Sequence, residues 1–158
     1  MKKFAAILTL ALASTALADS KPVFGVIIQP GLMEPGQSFQ FGCEIREDGH
    51  LASKLTKAKK VNGEWTWFVA EEQNRTLSPQ LFKQMMSLLR KASAGRIDET
   101  PAPCDVGNRI YQGVLEDQDV TLDSLLNCGA HYLNTSSAAK KLVQILKTEC
   151  KSPELTRI

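Results

Sequence analysis

Residues 39–49 read FQFGCEIREDG, and this segment decides the fold class. Its apolar side chains fall at every second position: Phe39, Phe41, Cys43 and Ile45. This period of two predicts a β-strand with one buried face, and Asp48-Gly49 supplies the turn that ends it. The next run, with Leu51 and Leu55, should return antiparallel, and Asn62-Gly63 predicts a second hairpin turn because both residues tolerate positive φ. The first half of the chain is therefore expected to form an antiparallel sheet.

The run Glu64–Val69 predicts the third strand of this sheet. Trp65 and Trp67 fall on one face and Phe68 falls on the other, so both faces are apolar. That pattern predicts a central strand, or one whose second face is covered by a helix, with Trp65 or Trp67 largely buried. The alternative is an exposed surface, because Trp is a favoured anchor residue at interfaces. Trp65, Trp67 and Phe68 are therefore also candidate binding residues.

Two amphipathic helices are predicted, one in each half of the chain. Ser78 can cap the first helix, Pro79 fits its first turn, and Gly95 closes it. The apolar residues between these ends recur at helical spacing. The second helix is expected from Ser136 to Cys150, and the polar run Asn134–Ser137 offers several side chains that can cap its start.

The other strands complete the predicted fold. Val23–Gln29 predicts a strand or an extended N-terminal arm, and Asn108–Leu115 with Val120–Leu126 predicts a hairpin around an acidic turn. The segment Asp98–Asp105 contains two prolines and predicts an extended loop rather than a paired strand. The expected fold class is α+β, an antiparallel β-sheet with two amphipathic helices packed on one face, in the order β-β-β-α-β-β-α.

Residues 1–18 have the features of a cleaved secretory signal peptide. Met1–Lys3 gives a basic start, Phe4–Leu12 is an apolar run, and Ala16–Ala18 is a small-x-small cleavage site. Residues 19–158 would then form a single disulfide-bonded α+β domain. The short twin-lysine signal is of the bacterial type, so the predicted location is periplasmic or secreted.

The charge balance argues against nucleic acid as a partner. The chain has 19 basic and 17 acidic residues, and removal of Lys2 and Lys3 with the signal leaves equal numbers. A near-neutral domain lacks the basic surface that binds phosphate backbones. No segment after the signal reaches the roughly 20 apolar residues that a membrane-spanning helix needs. The local basic cluster at Lys54, Lys57, Lys59 and Lys60 predicts an exposed strand end, with an acidic partner as the alternative.

Cysteine usage predicts two disulfides, because an exported chain with an even number of cysteines meets an oxidising compartment. The four cysteines are Cys43, Cys104, Cys128 and Cys150. The alternative is a zinc site, since Cys128 and His131 have Cys-x-x-His spacing. A helix from Ser136 to Cys150 would be about 21 Å long and would carry Cys150 away from Cys128, beyond the ~7 Å that a disulfide spans. Cys104 and Cys128 flank the predicted hairpin centred near residues 117–118, at similar distances along the chain, so they should lie on neighbouring chains at one end of it. We therefore predict the pairs Cys104–Cys128 and Cys43–Cys150, and no metal site.

No motif for a catalytic or cofactor site is present. The sequence lacks the G-x-S-x-G, H-E-x-x-H, G-x-G-x-x-G and P-loop patterns, and no cofactor is predicted. A nucleophile activated by histidine would have to use His50 or His131. An enzyme is therefore the less favoured hypothesis.

A binding protein is the favoured hypothesis. The segment Thr100, Pro101, Ala102 and Pro103 is extended and is followed by Cys104, and rigid extended loops lose little entropy when they dock into a partner's cleft. The predicted function is a small exported binding protein, most concretely an inhibitor or modulator of a periplasmic or extracellular protease or hydrolase. Its predicted partner is another exported protein. The alternatives are a small secreted hydrolase and a structural accessory protein of the cell envelope, and the sequence leaves the oligomeric state open.

Overall fold

The computed structural model describes residues 20–31 and 35–153. They form one eight-stranded antiparallel sheet and two helices, so the predicted α+β class is confirmed. The predicted signal peptide lies outside the described residues. Within the described ranges, no helix is both long and apolar enough to cross a membrane.

The strands are β1 (Pro22–Gln29), β2 (Phe39–Arg46), β3 (His50–Val61), β4 (Glu64–Thr76), β5 (Ile97–Pro101), β6 (Asn108–Leu115), β7 (Gln118–Leu125) and β8 (Ala130–Asn134). The helices are α1 (Pro79–Ser93) and α2 (Ser137–Cys150). The strands lie in the order β4-β3-β2-β1-β6-β7-β8-β5. The predicted element order was wrong, because four strands precede each helix. β5 and β8 have only five residues each, too few to show a clear alternation in the sequence.

The sheet is built from two similar halves that meet between β1 and β6. β1–β3 and β6–β8 are both antiparallel meanders, and β4 and β5 form the two outer edges. A serine caps the helix in each half, as the sequence indicated. The Ser78 hydroxyl accepts a hydrogen bond from Leu81 N, and the Ser136 hydroxyl accepts one from Ala139 N.

The helices pack against each other and against the middle of the sheet. α1 contacts β6 and β7, and α2 contacts β7 and β3. These shared contacts favour the predicted placement of both helices on one face. The core contains alternating residues of the central strands and the apolar faces of the helices. Its fully buried members include Phe24, Val26, Ile28, Ile45, Leu51, Met85, Leu89, Tyr111, Leu122, Leu142 and Leu146.

A buried amide connects the two helices through the sheet. Asn134, only 1% exposed, ends β8. Its Nδ2 donates to Ala92 O at the end of α1, at 2.8 Å, and its Oδ1 accepts from Ser136 N at 3.1 Å. A residue that the sequence places at a helix start thus also fixes the end of the other helix.

Both predicted disulfides are confirmed. Cys43 in β2 pairs with Cys150 at the end of α2, with 5.9 Å between their Cα atoms. Cys104 pairs with Cys128, with 4.1 Å between their Cα atoms. All four cysteines are therefore oxidised, and none is left as a thiolate ligand for zinc.

Two predictions about the sheet edges were wrong. The strand that contains Trp65 and Trp67, β4, is an edge strand rather than a central one, and both indoles are exposed. The expected loop Asp98–Asp105 is in part a paired strand, because β5 pairs with β8 through Pro101. An edge strand tolerates proline where the missing N–H would face solvent, which is why the prolines did not exclude pairing.

Candidate functional site

The hairpin formed by β3 and β4 extends past the rest of the sheet. β2 pairs with β3 only from Lys57 to Leu51, whereas β3 and β4 pair as far as Val61 and Glu64. The turn is the predicted Asn62-Gly63, whose φ angles of 50° and 90° fit a tight two-residue hairpin. We call residues 57–69 the outer hairpin.

The outer hairpin holds most of the exposed apolar surface. In the part of the chain that the structure describes, six large apolar side chains are exposed, and five belong to it: Val61, Trp65, Trp67, Phe68 and Val69. Trp65 is 46% exposed and Trp67 is 52% exposed. Apolar side chains concentrated in this way on a small protein mark an interaction surface more often than scattered ones do.

The strand alternation sorts these side chains onto two faces. Trp65, Trp67 and Val69 lie on one face, which we call the Trp face, opposite Lys60, Ala58 and Thr56 of β3 in the register. Ala58 is small, so the indole of Trp67 has no bulky cross-strand neighbour. Thr66 and Phe68 lie on the other face. The outer hairpin is therefore apolar on both faces without being part of the core.

Lysines accompany the aromatic residues on the neighbouring strand. Lys57, Lys59 and Lys60 lie on β3, and the Nζ of Lys59 is 4.9 Å from the ring centroid of Phe68. An ammonium over a ring face at this distance is a favourable cation–π contact. The acidic residue of the outer hairpin is Glu64, next to the turn. The surface is thus aromatic with a basic border, which suits a partner whose apolar pocket has an acidic rim.

The hairpin is held at its base and along its side. Arg75 of β4 forms an ion pair with the Glu149 carboxylate, and its Nη2 also donates to Glu149 O at 3.1 Å. Trp65 packs against the 3₁₀ turn Pro35–Gln37, since a Cβ on Gly36 would lie 3.2 Å from Trp65 Cη2. These contacts fix the base of the hairpin and the position of Trp65.

The second predicted binding segment lies at the opposite edge of the sheet. Thr100 pairs with His131 and Pro101 with Ala130, while Ala102 N donates to Gly129 O at 3.0 Å. The Cys104–Cys128 disulfide follows directly after Pro103. Thr100, Pro101 and Pro103 are exposed and Ala102 is half-buried. The segment is therefore fixed flat along β8, and the fold does not bring it together with the tryptophans.

The two histidines lie apart, and each has its own contacts. His131 Nε2 is 2.8 Å from Asp123 Oδ1, and Asp123 also accepts from Arg109 Nη2 at 3.2 Å. These contacts connect β6, β7 and β8, which is a structural role. His50 begins β3, and its backbone N–H donates to Asp48 Oδ1 at 2.9 Å. This hydrogen bond lowers the pKa of the Asp48 carboxyl, because it stabilises the ionised form.

The exposed aromatic cluster contributes to neither the core nor the packing of the helices, so the fold alone does not account for it. The sequence signal for it is the run WTWFV at residues 65–69, whose pattern also predicts a buried strand. Comparison of the chain with models of protein families and with curated proteins gave no match. The exposure and the position of the aromatic cluster identify the outer hairpin as the candidate functional site.

Proposed function

We propose that this protein is an exported binding protein that contacts another exported protein through its outer hairpin. The observation that carries the proposal is the concentration of Trp65, Trp67, Phe68, Val61 and Val69 on one protruding hairpin. Trp is enriched among the residues that dominate binding energy at interfaces. Apolar side chains that stay exposed do not stabilise the folded protein. Binding to a partner is therefore the simplest reason for their position.

Rigidity supports the same proposal. The two-residue turn, the Arg75–Glu149 ion pair and the packing of Trp65 on Gly36 fix the hairpin in the free protein. A preordered surface loses less conformational entropy on binding than a flexible loop does. Inhibition of an exported protease or hydrolase is the most concrete form of this function, and the outer hairpin, rather than Thr100–Pro103, would enter the enzyme's cleft.

Export is supported by the disulfides and by the predicted signal. The pairs Cys43–Cys150 and Cys104–Cys128 are compatible with an oxidising compartment. A periplasmic or secreted location follows if residues 1–18 are cleaved as predicted.

Site-specific photo-cross-linking in the native envelope tests the proposed function. A photoreactive phenylalanine analogue would replace Trp67 in one variant and Thr100 in a second, to compare the two sheet edges. The matched control replaces Lys83, which is exposed on α1. We expect a cross-linked product with a second protein from position 67 and none from position 83.

Other outcomes would change the proposal. A product from position 100 alone would show that the binding site lies at β5 and not at the outer hairpin. Equal products from all three positions, or none from any of them, would contradict it. If the partner is a hydrolase, loss of its activity on addition of the purified protein identifies an inhibitor. Unchanged activity would favour the alternative of a structural accessory protein.

A further inference from the structure

The two edges of the sheet differ in how they resist pairing with another chain. β5 has five residues and carries Asp98, Glu99 and Pro101, all of which discourage strand addition. β4 has 13 residues, and between Trp65 and Ala70 it contains no charge and no proline. Charged residues of β4 lie only outside this stretch, and an uncharged aromatic stretch on an exposed edge is the kind that natural proteins usually protect.

The turn geometry indicates which backbone groups of β4 point outward. In a two-residue hairpin the flanking residues, Val61 and Glu64, form a hydrogen-bonded pair. Hydrogen-bonded and non-hydrogen-bonded pairs then alternate along the strands. Thr66 and Phe68 therefore direct their N–H and C=O groups toward β3. Trp65, Trp67 and Val69 direct theirs outward, where no strand of the described residues pairs with them.

We propose that this edge pairs with the same edge of a second copy of the chain, antiparallel about a two-fold axis at Trp67. Trp65 would then oppose Val69 of the second copy, and the two Trp67 residues would oppose each other. All three are outward-facing positions, so each pair exchanges hydrogen bonds in both directions. Glu64 would oppose Ala70, so no like charges meet. Aromatic pairs and aromatic–β-branched pairs are favourable across strands.

Symmetry explains why only one edge is unprotected. An isologous pairing uses β4 of both copies and leaves only the two β5 edges, which carry charges and proline. Assembly therefore stops at a dimer and does not continue into a fibre. The equal numbers of basic and acidic residues expected after signal removal produce no net repulsion between copies.

The dimer would enlarge the candidate site without hiding it. Side chains stand roughly perpendicular to a sheet, so edge pairing through the backbone leaves the Trp face exposed. Residues directly opposite in an antiparallel pair point to the same side. The two Trp faces would therefore join into one surface made by both copies. This inference goes beyond the proposed function and does not require it to be correct.

Sedimentation velocity over a concentration series, on the purified disulfide-bonded protein, tests the proposal. We expect the mass of two chains at high concentration and dissociation on dilution. Val69→Pro removes an outward N–H that pairs with no strand of the described residues, so it should leave the hairpin intact and weaken the dimer at least tenfold. Val69→Thr keeps both the β-branch and the N–H, and it should dimerise like the parent. A monomer at every concentration, larger oligomers, or a dimer unaffected by Val69→Pro would overturn the proposal.

Amide hydrogen exchange resolved by NMR provides a test that needs no variant. Protection of the Trp65, Trp67 and Val69 amides should rise with protein concentration, whereas Thr66 and Phe68 should be protected at every concentration. A dimer whose Trp67 amide exchanges freely would have its interface elsewhere. Cross-linking separates this outcome from failure of the proposed function, because a product of twice the chain mass reports the dimer and a product with another protein reports the target.

Discussion

Leu89 of α1 packs directly on the backbone of Gly113 in β6. A Cβ built on Gly113 would lie 2.4 Å from Leu89 Cδ1, far inside contact distance. Both residues are buried, and Gly113 pairs with Phe24 at the centre of the sheet. The absence of a side chain at position 113 therefore sets how closely α1 approaches the sheet.

Gly113→Ala should destabilise the protein by about 1 to 3 kcal/mol, because the added methyl group overpacks the contact with Leu89. Gly25→Ala is the matched control. Gly25 lies on the adjacent strand, and a Cβ there would be an ordinary 3.5 Å from Gln112 Cγ. Urea unfolding of both variants checks the prediction, and equal midpoints would contradict the close packing.

Iodide should quench both tryptophans readily in the purified protein, since each indole is about half exposed. Trp67→Ala should change the free energy of unfolding by no more than about 0.5 kcal/mol, as is usual for surface positions. If Trp67 lay in the buried strand expected from the sequence, Trp67→Ala would instead lower the free energy of unfolding by about 3 to 5 kcal/mol. Fluorescence and urea unfolding together distinguish these cases, and quenching that spares both indoles would show that the hairpin is covered.

The two disulfides should differ in stability and in reactivity. Cys43 and Cys150 are buried, whereas Cys104 and Cys128 are exposed, so a mild reductant should open Cys104–Cys128 first. Cys43–Cys150 closes a loop of 107 residues and Cys104–Cys128 one of 24 residues. By restricting the unfolded chain, the two bonds should stabilise the folded protein by about 5 and about 3.5 kcal/mol, respectively. Timed alkylation with peptide mapping gives the order of reduction, and unfolding of the two Cys→Ala double variants gives the energies. Simultaneous opening would contradict the difference in burial.

The Asp48 carboxyl should titrate with a pKa below the ordinary value for an aspartate, because the backbone N–H of His50 stabilises the carboxylate. A folded-state pKa below the unfolded value means that this stabilisation is present above the unfolded pKa and is lost as the pH falls through the folded one. NMR titration of the Asp48 side chain measures the shift. Asp48→Asn removes the carboxyl and assigns its signal, and a pKa for Asp48 no lower than the ordinary aspartate value would contradict the prediction.

Local patterns predicted the elements that carry their own signals. The alternation in residues 39–45, the Asn62-Gly63 turn and the Ser78 and Ser136 caps all appear in the structure. The disulfide pairing also followed from the sequence, because the length of α2 separates Cys128 from Cys150 and the β6–β7 hairpin brings Cys104 and Cys128 together. These features depend on neighbouring residues or on simple chain geometry.

The position of a strand within the sheet did not follow from local patterns. A strand that is apolar on both faces, such as Glu64–Val69, can be central or can belong to an exposed hairpin, and only non-local pairing decides between them. β5 and β8 pair with each other across about 30 intervening residues, and neither has enough length to show a period. The type of residue therefore identified Trp65, Trp67 and Phe68 as candidate binding residues. Their exposure was not predicted, because the same pattern also fits a buried strand.

The nested connectivity of the disulfides has a consequence for biogenesis. If the protein is exported N-terminus first, as we propose, it presents Cys43 to the oxidising compartment first, then Cys104, Cys128 and finally Cys150. An oxidant that joins cysteines in order of arrival would link Cys43 to Cys104, whereas the native pairs enclose Cys104–Cys128 within Cys43–Cys150. Maturation then requires either a thiol–disulfide isomerase that reshuffles the early bond, or translocation that finishes before Cys43 is oxidised.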